Sequence, residues 1–320
     1  VTGAAGFIGS VVIDQLLQSG AEVVGIDNLN DAYDIRIKEY RLAKLQEKPG
    51  FFCLKLDIGD KSILDEQRLK DQGFKAVINL AARAGVRESL RDPWVYLDTN
   101  TTGTLNLLEF CHREGIQKFL LASTSSVYGE YAPLPTPEDA ISDKPLQAYA
   151  ASKKGAEALA HAYNYLHELD ISIVRYFTVY GPAGRPDMVM FRFIKWIAED
   201  HPVHLYGDGE QSRGFTFVED IARGTIAALK PVGYEIINLG GHEVITVNDL
   251  VKMLENSLQK KARIESHPRH PADMLTNWAD VSKAREMLGW EPQVSLKEGV
   301  QRTVDWYLSE RAWAKDIDTG

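Results

Sequence analysis

Short runs of mostly apolar, often β-branched residues recur along the first half of the chain: "AEVVGID", "FFCLKLDI", "AVINLAA", "KFLLAS" and "ISIVRYF". They do not alternate with period two, so each predicts a strand covered on both faces. Between them, apolar residues return at helical spacing. "FIGSVVIDQLLQSG" is the first such stretch, and Gly20 closes it as a C-terminal cap. Strand and helix alternate to about residue 175, which predicts an α/β fold with a doubly wound parallel sheet. After residue 176 the texture changes to the loops "YGPAGRPDM" and "YGDGEQSRG", then the strand "YEIINLGG" and several amphipathic helices. One of these, "TVNDLVKMLENSLQ", is expected to carry "KKAR" at 260–263 as its charged end, where cations complement the helix dipole. The expected organisation is a nucleotide-binding domain over 1–175 and a smaller α/β substrate lobe over 176–320, with 216–241 returning to the main sheet.

The composition fits this reading and removes several functions. With 320 residues, 44% of them hydrophobic, the chain can bury one large core or two modest ones. A net charge of -9 opposes a nucleic-acid backbone as partner. No apolar run approaches the roughly 18 residues of a membrane helix, and no signal-peptide pattern opens the chain. A soluble, cytoplasmic protein is expected. Cys53 and Cys111 make neither a disulfide framework nor a zinc spacing, and read as buried thiols in a reducing compartment. HExxH is absent, and "HPRH" at 267–270 reads as a solvated loop, so no metal is expected.

Gly3, Gly6 and Gly9 stand at the start of the helix that begins near Phe7 and Ile8, whose first N–H groups lack partners and can face an anion. Bare backbone there turns tightly and lets a pyrophosphate approach. A glycine turn between strand and helix can also be purely structural. Asp27 adds to the signal: it ends the next strand, where a carboxylate accepts hydrogen bonds from an adenosine ribose. No arginine directly follows it in "DNLND", where Asn28 and Asn30 extend the same wall, so NAD is favoured over NADP. Val1 and Thr2 read as the last residues of a central strand whose beginning this sequence lacks.

"YAASK" sets Tyr149 and Lys153 four residues apart on one helix face, so both can reach one bound sugar. "YRLAK" gives Tyr40 and Lys44 the same spacing, so the spacing alone decides nothing. Context separates the two pairs, because "KFLLAS" upstream of Tyr149 runs into "TSSVYG" and delivers hydroxyls to the carboxyl edge of the sheet. A phenol titrating near 10 becomes a usable base when a lysine ammonium and a cationic nicotinamide stand by. Tyr149 is then the base for a sugar hydroxyl, Thr124 holds that oxygen, and Lys153 grips the nicotinamide ribose.

With these motifs the chain resembles the extended short-chain dehydrogenase/reductase family over essentially its whole length. The resemblance implies a Rossmann fold, a tightly held NAD, a nucleotide-sugar substrate and a homodimer. It implies Asp57 and Ile58 flanking the adenine, Leu80, Ala81 and Ala82 along the dinucleotide, Asn100 and Ser123 in the pocket wall, and Tyr176 beside the nicotinamide. "DNLNDAYDIRIKEYRL", "AARAGVRESL", "STSSVYG" and "RYFTVYGPAGRPDM" are similar to members that invert C4 of UDP-glucuronate. That likeness makes Thr124, Tyr149 and Lys153 the catalytic trio. It assigns Ser125, Ser126, Thr178 and Arg185 to the hexuronate carboxylate, Tyr206 to the uracil, and Arg213 with Arg269 to the diphosphate. Related dehydratases and decarboxylases place acids where this chain has Ser125 and Ser126, so elimination lacks its acid. Two positions depart from the pattern: Ala183 replaces a usual tryptophan and Gly214 a usual aspartate.

The expected activity is therefore NAD-dependent C4 epimerisation of UDP-glucuronate to UDP-galacturonate through a 4-keto sugar. The alternative is a 4-epimerase of neutral UDP-sugars such as UDP-glucose, UDP-galactose or their N-acetyl forms. A more remote one is a non-catalytic NAD-sensing regulator, which would need no Tyr/Lys pair.

Overall fold

A computed structural model describes residues 1–241, 243–268 and 276–320. Its first half runs α1 (Phe7–Gln18), β1 (Val23–Asp27), α2 (Ile35–Gln46), β2 (Phe51–Lys55), β3 (Val77–Asn79), the short α3 (Trp94–Tyr96), α4 (Gly103–Glu114), β4 (Lys118–Thr124), α5 (Ala148–His167) and β5 (Asp170–Tyr176). Next come β6 (Thr178–Tyr180), α6 (Val189–Ala198), β7 (Pro202–Tyr206), β8 (Ser212–Phe217), α7 (Val218–Ala227) and β9 (Tyr234–Leu239). The chain ends with β10 (Glu243–Thr246), α8 (Val247–Leu258), β11 (Arg263–His267), β12 (Thr276–Asn277), α9 (Ser282–Leu288), α10 (Leu296–Ser309) and α11 (Arg311–Ala314).

β1 pairs with β2, and β3, β4, β5 and β9 lie side by side, all parallel. Thr2 bridges both Ile26 and Asn79, so it joins the two groups into one layer ordered β2, β1, Thr2, β3, β4, β5, β9. The direction of winding reverses at Thr2, and open α/β sheets bind ligands in the crevice at such a reversal. Every residue of β4 is buried, which is why its apolar run shows no alternation. Phe119 and Leu121 pack with Leu107 and Leu108 of α4 and with Ala156 and Ala160 of α5. Leu120 and Val174 face the other way, onto Val12 of α1, Ile221 of α7 and the buried Trp290.

A second core forms where Phe191, Ile194 and Ile197 of α6 meet Phe215 and Phe217 of β8, Leu250 and Leu254 of α8, and Val300 and Val304 of α10. β8 pairs with β6, β10 and β12, while β7 and β11 form a separate parallel ribbon. Two expectations are corrected here. "KKAR" does not end a helix: α8 stops at Leu258, and Gln259 turns the chain through a left-handed φ of 52°. Lys260 then bonds Asp200 and Lys261 bonds Glu255, while Arg263 opens β11, so these charges serve ion pairs rather than a helix terminus. His267 is the last residue of β11 and not part of a loop. Arg269 and His270 lie outside the described residues.

Candidate active site

The glycine loop is fixed by Thr2, whose hydroxyl donates to Asn79 Oδ1 at 2.8 Å and accepts from the Ala81 N–H at 3.1 Å. Gly3 is left-handed with φ 71°, and a Cβ there would stand 2.8 Å from the Ala81 nitrogen. A Cβ on Gly9 would stand 2.1 Å from the Gly3 carbonyl oxygen. Both are closer than real contacts allow, so the loop needs glycine to fold at all. No side chain caps α1 at Gly6, which leaves the first-turn N–H groups for an anion.

Gly3, Gly6, Phe7, Ile8 and Gly9 line one cleft with Asp27, Asn28, Asn30, Asp57, Ile58, Leu80, Ala81 and Ala82. Ser123, Tyr149, Lys153, Tyr176 and Arg185 line the same cleft. Asp27 is buried and accepts from the Ala5 N–H at 3.0 Å and the Leu29 N–H at 2.8 Å, so it shapes the loop as well as forming the wall. Asn28 donates to Asp57 at 2.8 Å and accepts from the Asn30 side chain at 2.8 Å. The cradle, its bare N–H groups and the carboxylate at the strand end fit NAD.

Tyr149 and Lys153 project from the first turns of α5, and the Tyr149 ring meets Tyr96 edge-on at 6.1 Å between centroids. Burial pushes the Tyr149 phenol up from its ordinary value, while a hydrogen bond with Thr124 and the charge of Arg185 pull it down. Burial lowers Lys153 to about 8, against the attraction of Glu157, and its Nζ donates to the Ala122 carbonyl at 2.9 Å. The cation set against the phenol is therefore Arg185, beyond the lysine that spacing alone pointed to. Arg185→Leu should move the limb of the pH–rate profile that reports base deprotonation upward by about one unit, because the neutral phenol loses a competitor. An unshifted profile would detach Arg185 from the base.

Arg185 itself is forked onto Asp187 at 3.0 and 2.6 Å and reaches the Ala84 carbonyl at 3.3 Å. Ser125 is buried and accepts from Asn277 Nδ2 at 2.9 Å. Ser126 donates its N–H to Thr124 Oγ1 at 3.2 Å, closing the turn Ser125–Tyr128. Thr178 sits opposite Phe215 between β6 and β8. Tyr206 ends β7 with its ring stacked on His267, and the Arg87 guanidinium lies 4.9 Å from its centroid. Arg213 is on β8, opposite Asn277 of β12. Tyr176 shares a 2.7 Å hydrogen bond with Thr225.

Two wall residues turn their side chains elsewhere. Asn100 lies in a π-helical turn, Leu97–Thr102, where its amide bonds the Arg83 N–H at 2.9 Å, the Arg83 carbonyl at 3.0 Å and Ser152 at 2.9 Å. It positions the loop after β3. The Ser123 hydroxyl donates to Glu157 at 2.6 Å, behind the sheet edge.

Sequence reasoning missed Tyr33, Lys38, Arg41 and Asn277. Lys38 lines the cleft and donates to the Asn30 carbonyl at 2.7 Å and its Oδ1 at 2.9 Å, which pins the Asn-rich loop. Arg41 is buried and donates to the Ala183 carbonyl at 2.9 and 2.6 Å, to the Gly184 carbonyl at 3.1 Å, to the Ala5 carbonyl at 3.1 Å and to Tyr33 Oη at 2.9 Å. One guanidinium thus clamps the glycine loop to the loop bearing Arg185. Ala183 takes a left-handed φ of 52° to present its carbonyl. Arg41→Met should cost about 1–3 kcal/mol of stability and raise the KM for substrate, since several carbonyls lose a charged donor. Steady-state kinetics and denaturant melts check both.

The fold and site together define a dinucleotide-binding α/β protein carrying a tyrosine–lysine pair at the carboxyl edge of its sheet. The chain belongs to the NAD dependent epimerase/dehydratase family, which residues 1–240 match. It is 54% identical to the UDP-glucuronate 4-epimerase of Thermodesulfobacterium geofontis over 96% of this chain and 94% of that one. The UDP-glucuronic acid 4-epimerase of Bacillus cereus, crystallised with UDP-glucuronic acid and NAD, superposes with a TM-score of 0.89 at 38% identity, covering 97% of this chain and 98% of that one. The UDP-glucose 4-epimerase of Thermotoga maritima, solved with UDP-glucose, has a TM-score of 0.89 at 32% identity over 97% and 98% of the two chains.

Proposed function

We propose that this chain inverts C4 of UDP-glucuronate to give UDP-galacturonate through a 4-keto sugar. One observation carries the reading: the half-buried Tyr149, whose phenol feels Thr124 and the charge of Arg185, lines the same cleft as the glycine cradle, Lys153 and Arg185. When bound in that cradle, NAD supplies a reversible hydride acceptor for C4. Tyr149 takes the proton of the C4 hydroxyl and later returns it, so proton and hydride leave and rejoin the same carbinol. Thr124 steadies the C4 oxygen, and Lys153 orients the nicotinamide ribose. Ser125 and Ser126 are neither acids nor bases at neutral pH, so neither supplies the general acid that elimination from the 4-keto sugar needs. Arg185, Thr178 and the two serines supply donors for the hexuronate carboxylate, and Tyr206 with Arg213 and Arg269 takes the uridine diphosphate.

A second reading, C4 inversion of a neutral UDP-sugar, draws on the engagement of Arg185 with Asp187 and on the likeness to the Thermotoga enzyme. Incubating the protein with UDP-glucuronate and with UDP-galactose, then separating the products chromatographically, decides between them. A kcat/KM for UDP-glucuronate at least tenfold higher is expected; equal turnover of the neutral sugar would overturn the assignment.

Residues 1–175 with 216–241 serve as the NAD-binding unit, and the remainder of 176–320 holds the nucleotide-sugar. The protein works as a homodimer. Leu90, Trp94 and Leu97 near α3 are 57%, 72% and 40% exposed, and Tyr165 and Leu166 on α5 are 78% and 66% exposed, large apolar side chains that a second copy would cover. No described helix is long and apolar enough to cross a membrane. Cytoplasmic residence accords with the two unpaired thiols, both held above their ordinary pKa by burial.

A further inference from the structure

The ribbon of β7 and β11 carries two histidines and a glutamate that the catalytic cleft does not use. The strands pair in parallel with His204 opposite Glu265 and Tyr206 opposite His267. Partners in a ladder, and residues two apart along a strand, present the same face. Val203 and Leu205 are buried, Val203 within the second core, so His204, Tyr206, Glu265 and His267 share the opposite face.

Three donor atoms converge there. His204 Nδ1 lies 2.9 Å from His267 Nε2. Glu265 Oε1 lies 3.8 Å from His204 Nδ1 and 3.4 Å from His267 Nε2. Around a tetrahedral zinc with bonds of about 2.0–2.1 Å, neighbouring donor atoms stand roughly 3.3 Å apart. The triangle therefore has the size of one face of that tetrahedron. Its chemistry also fits, since two imidazole nitrogens and one carboxylate oxygen suit zinc and its transition-metal neighbours and suit magnesium or calcium poorly.

The ligands are held from outside as well. Trp196 meets His204 edge-on at 5.2 Å, and Tyr206 stacks on His267 at 5.0 Å with 26° between the planes. Both imidazoles are half-buried and Glu265 is exposed, which leaves a fourth position open to water. We propose that His204, Glu265 and His267 form a surface site for a zinc-class divalent ion, which staples β11 to β7 and steadies the Tyr206 ring. This assignment does not depend on the substrate proposed above.

Cobalt(II) titration of the chelator-treated full chain tests it, because d–d absorption reports N/O coordination without any need for turnover. One cobalt per chain is expected, displaced by zinc, with a rise in thermal midpoint on loading. H204A and H267A should each weaken binding by more than about tenfold, and E265Q should weaken it less. H267Q, which keeps the stacking bulk against Tyr206, should fail like H267A while melting as wild type does without metal. H112A, which breaks the close pair of His112 and His167 with ring centroids 4.1 Å apart, should bind as wild type does. Absence of the band in wild type, its survival in H204A and H267A, or its loss in H112A would each overturn the site.

Discussion

Tyr149→Phe will lower kcat by about 10²–10⁴-fold while leaving UDP-sugar binding within a few fold. The phenyl ring keeps its edge contact with Tyr96, so α5 keeps its seat and only the hydroxyl is lost. That hydroxyl lines the cleft with the cofactor cradle, under the influence of Thr124 and Arg185, and can carry a proton between states. Burial holds the phenol above its ordinary value despite the pull of Thr124 and Arg185, and the positive charge of a bound nicotinamide would draw it down toward a usable base. The loss should therefore appear in kcat with little change in KM, the signature of an interaction used in the transition state. Initial rates by chromatography and binding by thermal-shift titration separate the two. A variant retaining more than a tenth of wild-type kcat would remove Tyr149 from the chemistry.

Much of this site could be read locally, and the reasons are physical. The central strands of the main sheet announce themselves because both their faces are covered, so runs such as residues 119–122 are apolar without alternation, whereas β2 at the edge keeps Phe52 exposed and the same pattern there overstated its cover. Gly3, Gly6 and Gly9 are visible because the constraint on them falls within one loop. Tyr149 and Lys153 are four apart on one helix, but so are Tyr40 and Lys44. Tyr40 instead bonds Glu310 and accepts from Trp306, with Lys44 over its ring, which fastens α2 to the end of α10. Hydroxyls at a sheet edge, not spacing, marked the pair that lines the cleft. Arg41 was invisible because its partners, Tyr33 aside, lie 36 to 143 residues away and are backbone carbonyls, which any sequence offers. The same holds for Asn277, which reaches Ser125 across 152 residues. His204 and His267 show the limit most clearly: a histidine pair set by strand register across 63 residues leaves no motif in the chain.

Glu157→Gln will destabilise the protein by about 3–5 kcal/mol, the cost of leaving one partner of a buried ion pair behind. Glu157 and Arg175 have side chains 2% and 1% exposed, and the guanidinium forks onto the carboxylate at 2.9 and 2.8 Å. Ser123 and Lys154 add bonds at 2.6 and 3.2 Å. The amide keeps the volume but turns an N–H₂ group toward a cation that has no water to retreat to. Burial works to raise the carboxyl of Glu157, yet Arg175, Ser123 and Lys154 hold it below its ordinary value. A group depressed in the fold stabilises above its unfolded pKa, about 4.3 for glutamate, and that stability fades as pH falls through the folded value. Urea midpoints of wild type and variant should therefore differ widely at pH 7 and converge on acidification. Glu157 also supports the charge of Lys153, so the variant should lower the lysine further. Pairing the change with Arg175→Met should recover much of the loss, because the penalty belongs to the abandoned charge. A double variant as unstable as Glu157→Gln alone would assign the cost to packing instead.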